Sequence, residues 1–299
     1  MKFNIKSYLR KIFFLPFHII KFIENLYSLV LQKLDPNGTE CYKEELSQKQ
    51  IDSKINSNLK IKKNYFGDFK EYKSKIYDYN NPLKFYTPTK IASHRAASLF
   101  KKEPFTIEWI DSNGGKEVVF LDIGANMGIY SIYYANVFNS CVLSFEPVYR
   151  NLDLLARNIN LNKLNNLITI IPNPIYKSAE KSFFKQSKNL AGMAEASFGK
   201  EFYKKKTDSE YNFQTLSLSL DNIFNLINEP ISNIIKIDVD GNEAEVLYGA
   251  KKIIGDEKCK AIMVETREST VAKVNKILEE AKFEKKNNIG FNEFWYKKI

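Results

Sequence analysis

Histidine, tryptophan and cysteine are scarce in this 299-residue chain, at two, two and three residues. The cysteines, Cys41, Cys141 and Cys259, are far apart and odd in number, so neither a disulfide framework nor a zinc-type spacing is present. No metal site is expected, and the cysteine usage fits a reducing cytoplasm. Cys141, at the head of an apolar run, reads as a buried residue. No uninterrupted apolar stretch reaches the roughly 20 residues that a spanning helix needs. The nearest approach, in residues 1–34, is broken by Pro16, Lys21, Glu24 and Asn25, and no small-residue cleavage site marks it as a secretory signal. Internal repeats are absent. Acidic residues are in deficit, 35 against 45 basic, for a net charge of +10. That balance favours anionic surroundings such as a membrane surface, nucleic acid or phosphorylated substrates. It is equally the mark of a plain Lys-rich surface. Apolar residues make up 44%, enough for a packed core.

Three regions follow. Residues 1–34 carry Lys2, Lys6, Arg10, Lys11, Lys21 and Lys33 against Glu24, among many Phe, Ile and Leu. They read as a basic amphipathic helix lying on an anionic membrane surface, or as a helix packed on the protein's own core or on a partner. Residues 35–82 form a polar connector. From residue 83 to 299, short apolar runs alternate with helical patterns, which implies a mostly parallel sheet with helices on both faces. Strands are expected at 83–86, 118–121, 141–145, 167–171, 234–239 and 261–265, with a last strand at 291–297. Helices are expected at 89–101, 128–137, 149–161, 220–226, 243–254 and 270–281. The stretch 176–219, with aromatics among many lysines, is a long excursion suited to a lid or acceptor pocket, or to a solvated β-excursion.

The most informative stretch is Asp122-Ile-Gly-Ala-Asn-Met-Gly128, where an apolar run ends in an acid and a tight Gly-rich turn. A second apolar run then ends in Glu146. The dinucleotide fingerprint G-x-G-x-x-G is missing, and an acid before the first glycine would repel a pyrophosphate. Asp122 instead suits a ligand bearing an ammonium group, such as the amino-acid part of S-adenosylmethionine. Glu146 suits the two hydroxyls of a ribose. Asp238 and Glu265 also fall at strand ends, where ligands bind in such sheets. Lys236, inside a strand, is expected to reach past the strand edge with its head solvated.

These residues resemble the FkbM-type S-adenosylmethionine-dependent methyltransferases. The likeness is carried by Asp122–Gly128, Phe145-Glu-Pro147, Asn158-x-x-Leu-Asn162 and Ile237-Asp-Val-Asp-Gly-Asn-Glu243, with Val246-Leu247 and Gly249-Ala250. Lys102-Glu-Pro104, Glu108-Trp-Ile110 and Ala196-Ser-Phe-Gly199 are similar to a subgroup. The chain departs from the family at Asp240, where Glu is usual, and at Pro172-Asn-Pro-Ile175, where a small residue is usual. The resemblance covers roughly residues 83–299 and implies a class I, Rossmann-like methyltransferase domain there, with an antiparallel last strand; the N-terminal helical extension is read from the residues alone, since the resemblance does not reach 1–80. It implies methyl transfer to a hydroxyl of a sugar or glycan precursor, nucleotide- or lipid-linked, in surface-polysaccharide or glycolipid assembly. Another small-molecule hydroxyl, or a membrane-associated scaffold with a vestigial cofactor fold, stands as the alternative.

The expected cofactor contacts are Asp122, Gly124, Ala125, Asn126, Gly128, Glu146, Pro147 and Asp238, with Val148 near the adenine. For the base, Asp238, His94 and Glu243 are the candidates, with Asp240 and Glu265 behind them; Glu243 is alternatively a helix cap. Nucleic acid is disfavoured as substrate: base-methylating enzymes of this fold usually carry Asp/Asn-Pro-Pro-Tyr/Phe where this chain reads Asp238-Val-Asp-Gly. The expected location is the cytoplasm, at the inner membrane face.

Overall fold

In the computed structural model of the protein, the described residues are 68–72, 83–187, 190–199, 211–227 and 233–298. The basic segment 1–34, and with it the helical extension, lies outside them. Within the stretch read as a connector, β1 (Asp68–Tyr72) pairs antiparallel with β2 (Leu83–Thr87). Thr89 caps α1 (Lys90–Ser98) by accepting from Ala92 N at 3.1 Å. Pro104 does not merely end that helix. It occupies the first turn of α2 (Pro104–Asn113), where its missing N–H costs nothing.

Among the described residues the main sheet has seven strands. Three central ones are buried along their whole length: β3 (Val119–Ile123), β4 (Val142–Phe145) and β9 (Asn233–Ile237). Such runs of Val, Ile, Leu and Phe belong to parallel strands covered on both faces. With β5 (Ile168–Ile171), β10 (Cys259–Glu265), β11 (Phe283–Ile289) and β12 (Asn292–Lys297) the order is β11-β12-β10-β9-β3-β4-β5. The pairs from β10 to β5 are parallel, and β12 runs antiparallel to both of its neighbours. The expected antiparallel last strand is therefore present. It is joined by β11, whose single buried residue, Phe283, left no periodic signal in the sequence.

Helices cover both faces. One core joins β2, α1 and α2 to α3 (Ile129–Phe138) and α4 (Tyr149–Leu161) around Phe120, Tyr133 and Tyr134. The other packs α5 (Leu220–Ile227), α6 (Glu243–Tyr248), α7 (Lys251–Gly255) and α8 (Val271–Glu280) around Leu121, Ile235 and Trp295. The single helix expected at 243–254 is thus two. The chain breaks at Gly249, where a Cβ would stand 2.1 Å from the Tyr176 carbonyl oxygen. Cys141 is exposed, contrary to expectation, because the strand begins one residue later; Cys259 is buried. Between β5 and α5 the chain makes a separate three-stranded sheet, β7-β6-β8, of β6 (Lys181–Gln186), β7 (Ala196–Phe198) and β8 (Tyr211–Leu216). Among the described residues no helix is long and apolar enough to cross a membrane.

Candidate active site

From β3 the chain winds outward through β4 to β5, then returns to lay β9 on the other side of β3. That reversal opens a crevice at the carboxyl ends of the strands. A cavity of about 710 Å³, counting its part open to solvent, lies there.

The Gly-rich turn forms one wall. Gly124 N and Ala125 N both donate to Phe145 O at 3.0 Å, which ties the turn to the end of β4. Gly124 has φ +85°, and a Cβ there would stand 1.9 Å from the Asp238 carbonyl oxygen. Gly128 has φ +82°, and a Cβ would meet Leu155 Cδ1 at 2.4 Å. Both glycines are therefore demanded by left-handed backbone and by the protein's own packing. Asn158 fixes the turn from below: its Nδ2 donates to Met127 O at 2.9 Å and its Oδ1 accepts from Tyr86 N at 2.7 Å. Asn162 likewise exchanges hydrogen bonds with the backbone of Lys84.

Glu146 is 4% exposed and lines the cavity. Its Oε2 accepts from Asn126 N at 2.7 Å and its Oε1 from Val148 N at 2.8 Å. Burial pushes its carboxyl up to about 7 against the pull of these N–H groups. Beside it Pro147, Val148, Ile175, Phe184 and Phe198 supply apolar surface. Asn173 and Pro174, on the loop where the chain departs from the family, also line the cavity.

At the far side stands Asp238, its side chain 39% exposed and its N–H donated to Ile123 O at 2.9 Å. Burial disfavours its charge. Lys236, a hydrogen bond from Glu265 and Arg95 outweigh burial and hold the carboxyl below the usual range. Glu265 moves the other way, pushed up to about 8 by burial and by the Asp238 charge. One proton is therefore held between two carboxylates, with the negative charge on the one facing the cavity.

Ala196–Phe198 and the residues before it roof the cavity. Six polar side chains bind this stretch. Thr89 donates to Ala191 O, Arg95 to Gly192 O, and Asn126 and Asn151 each to Met193 O at 3.0 Å. Asp240 Oδ2 accepts from Glu195 N at 2.7 Å, and Asn242 pairs with both the N–H and the carbonyl of Phe198. Asp240 also holds Arg267 at 2.7 Å.

Of the expected site residues, Gly124, Asn126, Glu146, Pro147, Val148, Asp238 and Asp240 line the cavity together. Asp122, Ala125 and Gly128 are buried behind the wall. Asp122 is 0% exposed; its Oδ2 accepts from Ser131 Oγ at 2.6 Å. Two other candidates stand away from the cavity. His94 is exposed on α1, because a helix turns each neighbour by about 100° and it is Arg95 that faces inward. Glu243 is 1% exposed at the start of α6, where its Oε1 accepts from Gly241 N at 2.8 Å, a bond to the turn before the helix rather than to the helix's own N–H groups. Lys236 is a correction: it is 3% exposed, its ammonium 3.4 Å from Asp238 Oδ2 and 3.8 Å from Asp122 Oδ1. Register explains this, since Lys236 lies directly opposite Asp122 in the sheet, an ion-pair partner that removes the need for water.

The strand order, the reversed β12 and a cavity at the switch point define the class I, Rossmann-like methyltransferase fold. Residues 122–285, more than half of the chain, match the methyltransferase FkbM domain. The chain belongs to that family and is an S-adenosylmethionine-dependent methyltransferase. No curated protein matches it. Among solved structures, it is similar to the FkbM methyltransferase of Methylobacillus flagellatus, at 16% identity and a TM-score of 0.43 over 62% of this chain. The match covers 44% of that protein, so this chain spans less than half of its length. It is also similar to a precorrin-6y C5,15-methyltransferase of Geobacter metallireducens, at 12% identity, TM-score 0.42, over 72% of this chain and 93% of that one. A Streptococcus mutans methyltransferase in complex with SAH matches at 11% identity, TM-score 0.40, over 64% and 94% of the two chains.

The lining suits S-adenosylmethionine on its own chemistry. A carboxylate has about four acceptor positions. Two backbone N–H groups engage Glu146, which leaves positions for a pair of ribose hydroxyls. The neighbouring apolar wall suits the faces of an adenine.

Proposed function

We propose that this protein moves the methyl of S-adenosylmethionine to a hydroxyl of a sugar or glycan precursor, nucleotide- or lipid-linked. The acceptor class comes from the family resemblance. The observation that supports transfer to oxygen is Asp238: an ionised carboxylate at a strand end, open to the cavity and able to take a hydroxyl proton. Bound S-adenosylmethionine supplies a methyl group on a sulfonium, open to in-line displacement. The chain's own part is alignment and proton removal. Glu146 holds the ribose, Pro147 and Val148 pack the adenine, and Gly124, Ala125, Asn126 and Gly128 shape the turn beside the amino-acid end. Asp122 acts from beneath the turn, through its fixed charge. The test is transfer of labelled methyl from S-adenosylmethionine to a panel of nucleotide sugars and lipid-linked glycans. Label on a sugar oxygen supports the reading; label only on non-sugar acceptors overturns it.

The ribose assignment has a pH signature. The hydroxyls donate to the charged carboxylate, so donor binding requires Glu146 ionised. Its carboxyl lies at about 7. Below that value affinity should fall by up to about tenfold per pH unit, and above it should level. Glu146→Gln should remove this slope and weaken binding about 10–100-fold, since its amide NH₂ must face one of the two N–H donors. Calorimetry between pH 5.5 and 8.5 decides it; a flat profile in the wild type sinks the assignment.

The proposal extends to location: the cytoplasm, with residues 1–34 resting on the anionic inner membrane face. Deleting them should abolish co-sedimentation with anionic vesicles, and unchanged binding would refute that role.

A further inference from the structure

The charged groups that line the cavity are unevenly matched. Glu146, Asp238 and Asp240 are carboxylates, and Asp240 is neutralised by Arg267. Lys236 lies behind Asp238 and does not line the cavity. Among the described residues, Arg95 is the one cation that lines the cavity. It is half-buried on α1, and its Nε donates to Gly192 O at 2.6 Å. Asn126 Nδ2 approaches the same carbonyl at 3.5 Å, which sets the guanidinium next to the Gly-rich turn. Among the described residues, its Nη groups have no hydrogen-bond or ion-pair partner. A guanidinium anchored through Nε keeps its other N–H groups as a planar fork, the geometry that grips a carboxylate.

We propose that Arg95 binds the carboxylate of the amino-acid end of the methyl donor. The proposal rests on the reading of this cavity as the donor site. The donor carries three features: an adenosine, a sulfonium, and an amino acid with adjacent positive and negative charges. The cavity answers the first at Glu146 and its apolar neighbours. Beside the Gly-rich turn it sets a cation, Arg95, near an anion, Asp238, and the two are close enough for Arg95 to help hold Asp238 ionised. A cation beside an anion is the complement of a zwitterion. The Arg95–Gly192 bond also ties the roof to the same side chain, so donor binding and the closed roof share one anchor.

The experiment uses two ligands on the full chain. S-Adenosylhomocysteine carries the amino-acid end; 5′-methylthioadenosine has the same adenosine and lacks it. In Arg95→Gln, the dissociation constant for S-adenosylhomocysteine should rise about 10–100-fold, while that for methylthioadenosine should stay within about threefold. Retained methylthioadenosine binding also shows that the variant is folded. Arg95→Lys should recover part of the loss. Equal weakening of both ligands would mean that Arg95 acts only through the roof, and no weakening of either would mean that it faces something else; each overturns the proposal. Failure of the wild-type protein to bind either ligand would instead overturn the donor-site reading, and this proposal with it.

Discussion

Replacing Asp238 by Asn is expected to cut methyl transfer at saturating donor by about 10²–10⁴-fold, the usual worth of a positioned base, and to weaken donor binding as well, because the same carboxylate faces the donor's ammonium group. Asn keeps the shape and removes the proton acceptor. The fold should survive, because Lys236 keeps Asp122 as a partner 3.8 Å away. The pH profile carries more information than the rate. Against burial, Lys236 and Arg95 hold Asp238 below its ordinary value, while Glu265 keeps its proton up to about 8. The two titrate as a pair, so the wild-type rate should be level through neutrality and change near pH 8, when the second carboxyl ionises. Glu265→Gln should remove that inflection and keep neutral-pH activity within about tenfold. If Asp238→Asn turns over within threefold of wild type, the proton leaves by another route and Asp238 is a cofactor or loop residue.

Which elements of this chain are legible in its sequence has a physical basis. Strands β3, β4 and β9 were legible because covered parallel strands are continuous apolar runs, and α4 because its apolar residues recur on one face. Asp122, Glu146 and Asp238 were legible as strand-end acids. Whether each faces the ligand was not, since that depends on the side of the sheet. Phe120 and Asp122 share the face covered by α3, so Asp122 points under the helix at Ser131. β11 was missed because an edge strand with one buried residue has no alternation to read. The stretch 176–219 reads as a lid or acceptor pocket, and residues 191–198 of it do roof the cavity, but the side chains that hold them were not legible, for a different reason. Thr89, Arg95, Asn126, Asn151, Asp240 and Asn242 converge on one short segment from four distant parts of the chain. Nothing in their spacing says so. His94 was the candidate and Arg95 merely its neighbour, and only the helix phase decides which of the two enters the cavity.

The largest effect on stability is expected from Lys236→Met. Asp122 and Lys236 are directly paired in register across β3 and β9, and Ser144 stands on the other side of Asp122. Ser131 Oγ closes this polar row from α3, donating to Asp122 and accepting from Ser144 at 2.8 Å. The Lys236 ammonium lies 5.2 Å from the centre of the Tyr130 ring, a favourable cation–aromatic contact. Burial alone would depress the lysine, yet Asp238, Asp122, Glu103 and Glu265 together raise it above its ordinary value, so it is charged. Methionine fills the space and leaves Asp122 without its counter-charge. Breaking a buried pair from one side costs about 3–5 kcal/mol, which for a domain of this size is roughly 10 °C in Tm. The sign of the pH dependence follows from Asp122, whose carboxyl is already raised by burial even with Lys236 in place. Without the lysine it rises further. A carboxyl raised in the folded state contributes stability below its unfolded value and loses it as pH climbs through the folded one. The variant should therefore melt closest to wild type near pH 5 and furthest from it near pH 8. Adding Asp122→Asn removes the stranded charge, so the double variant should be more stable at pH 8 than Lys236→Met alone. A single variant that melts within 2 °C of wild type at both pH values would show that this buried row contributes nothing net to the fold.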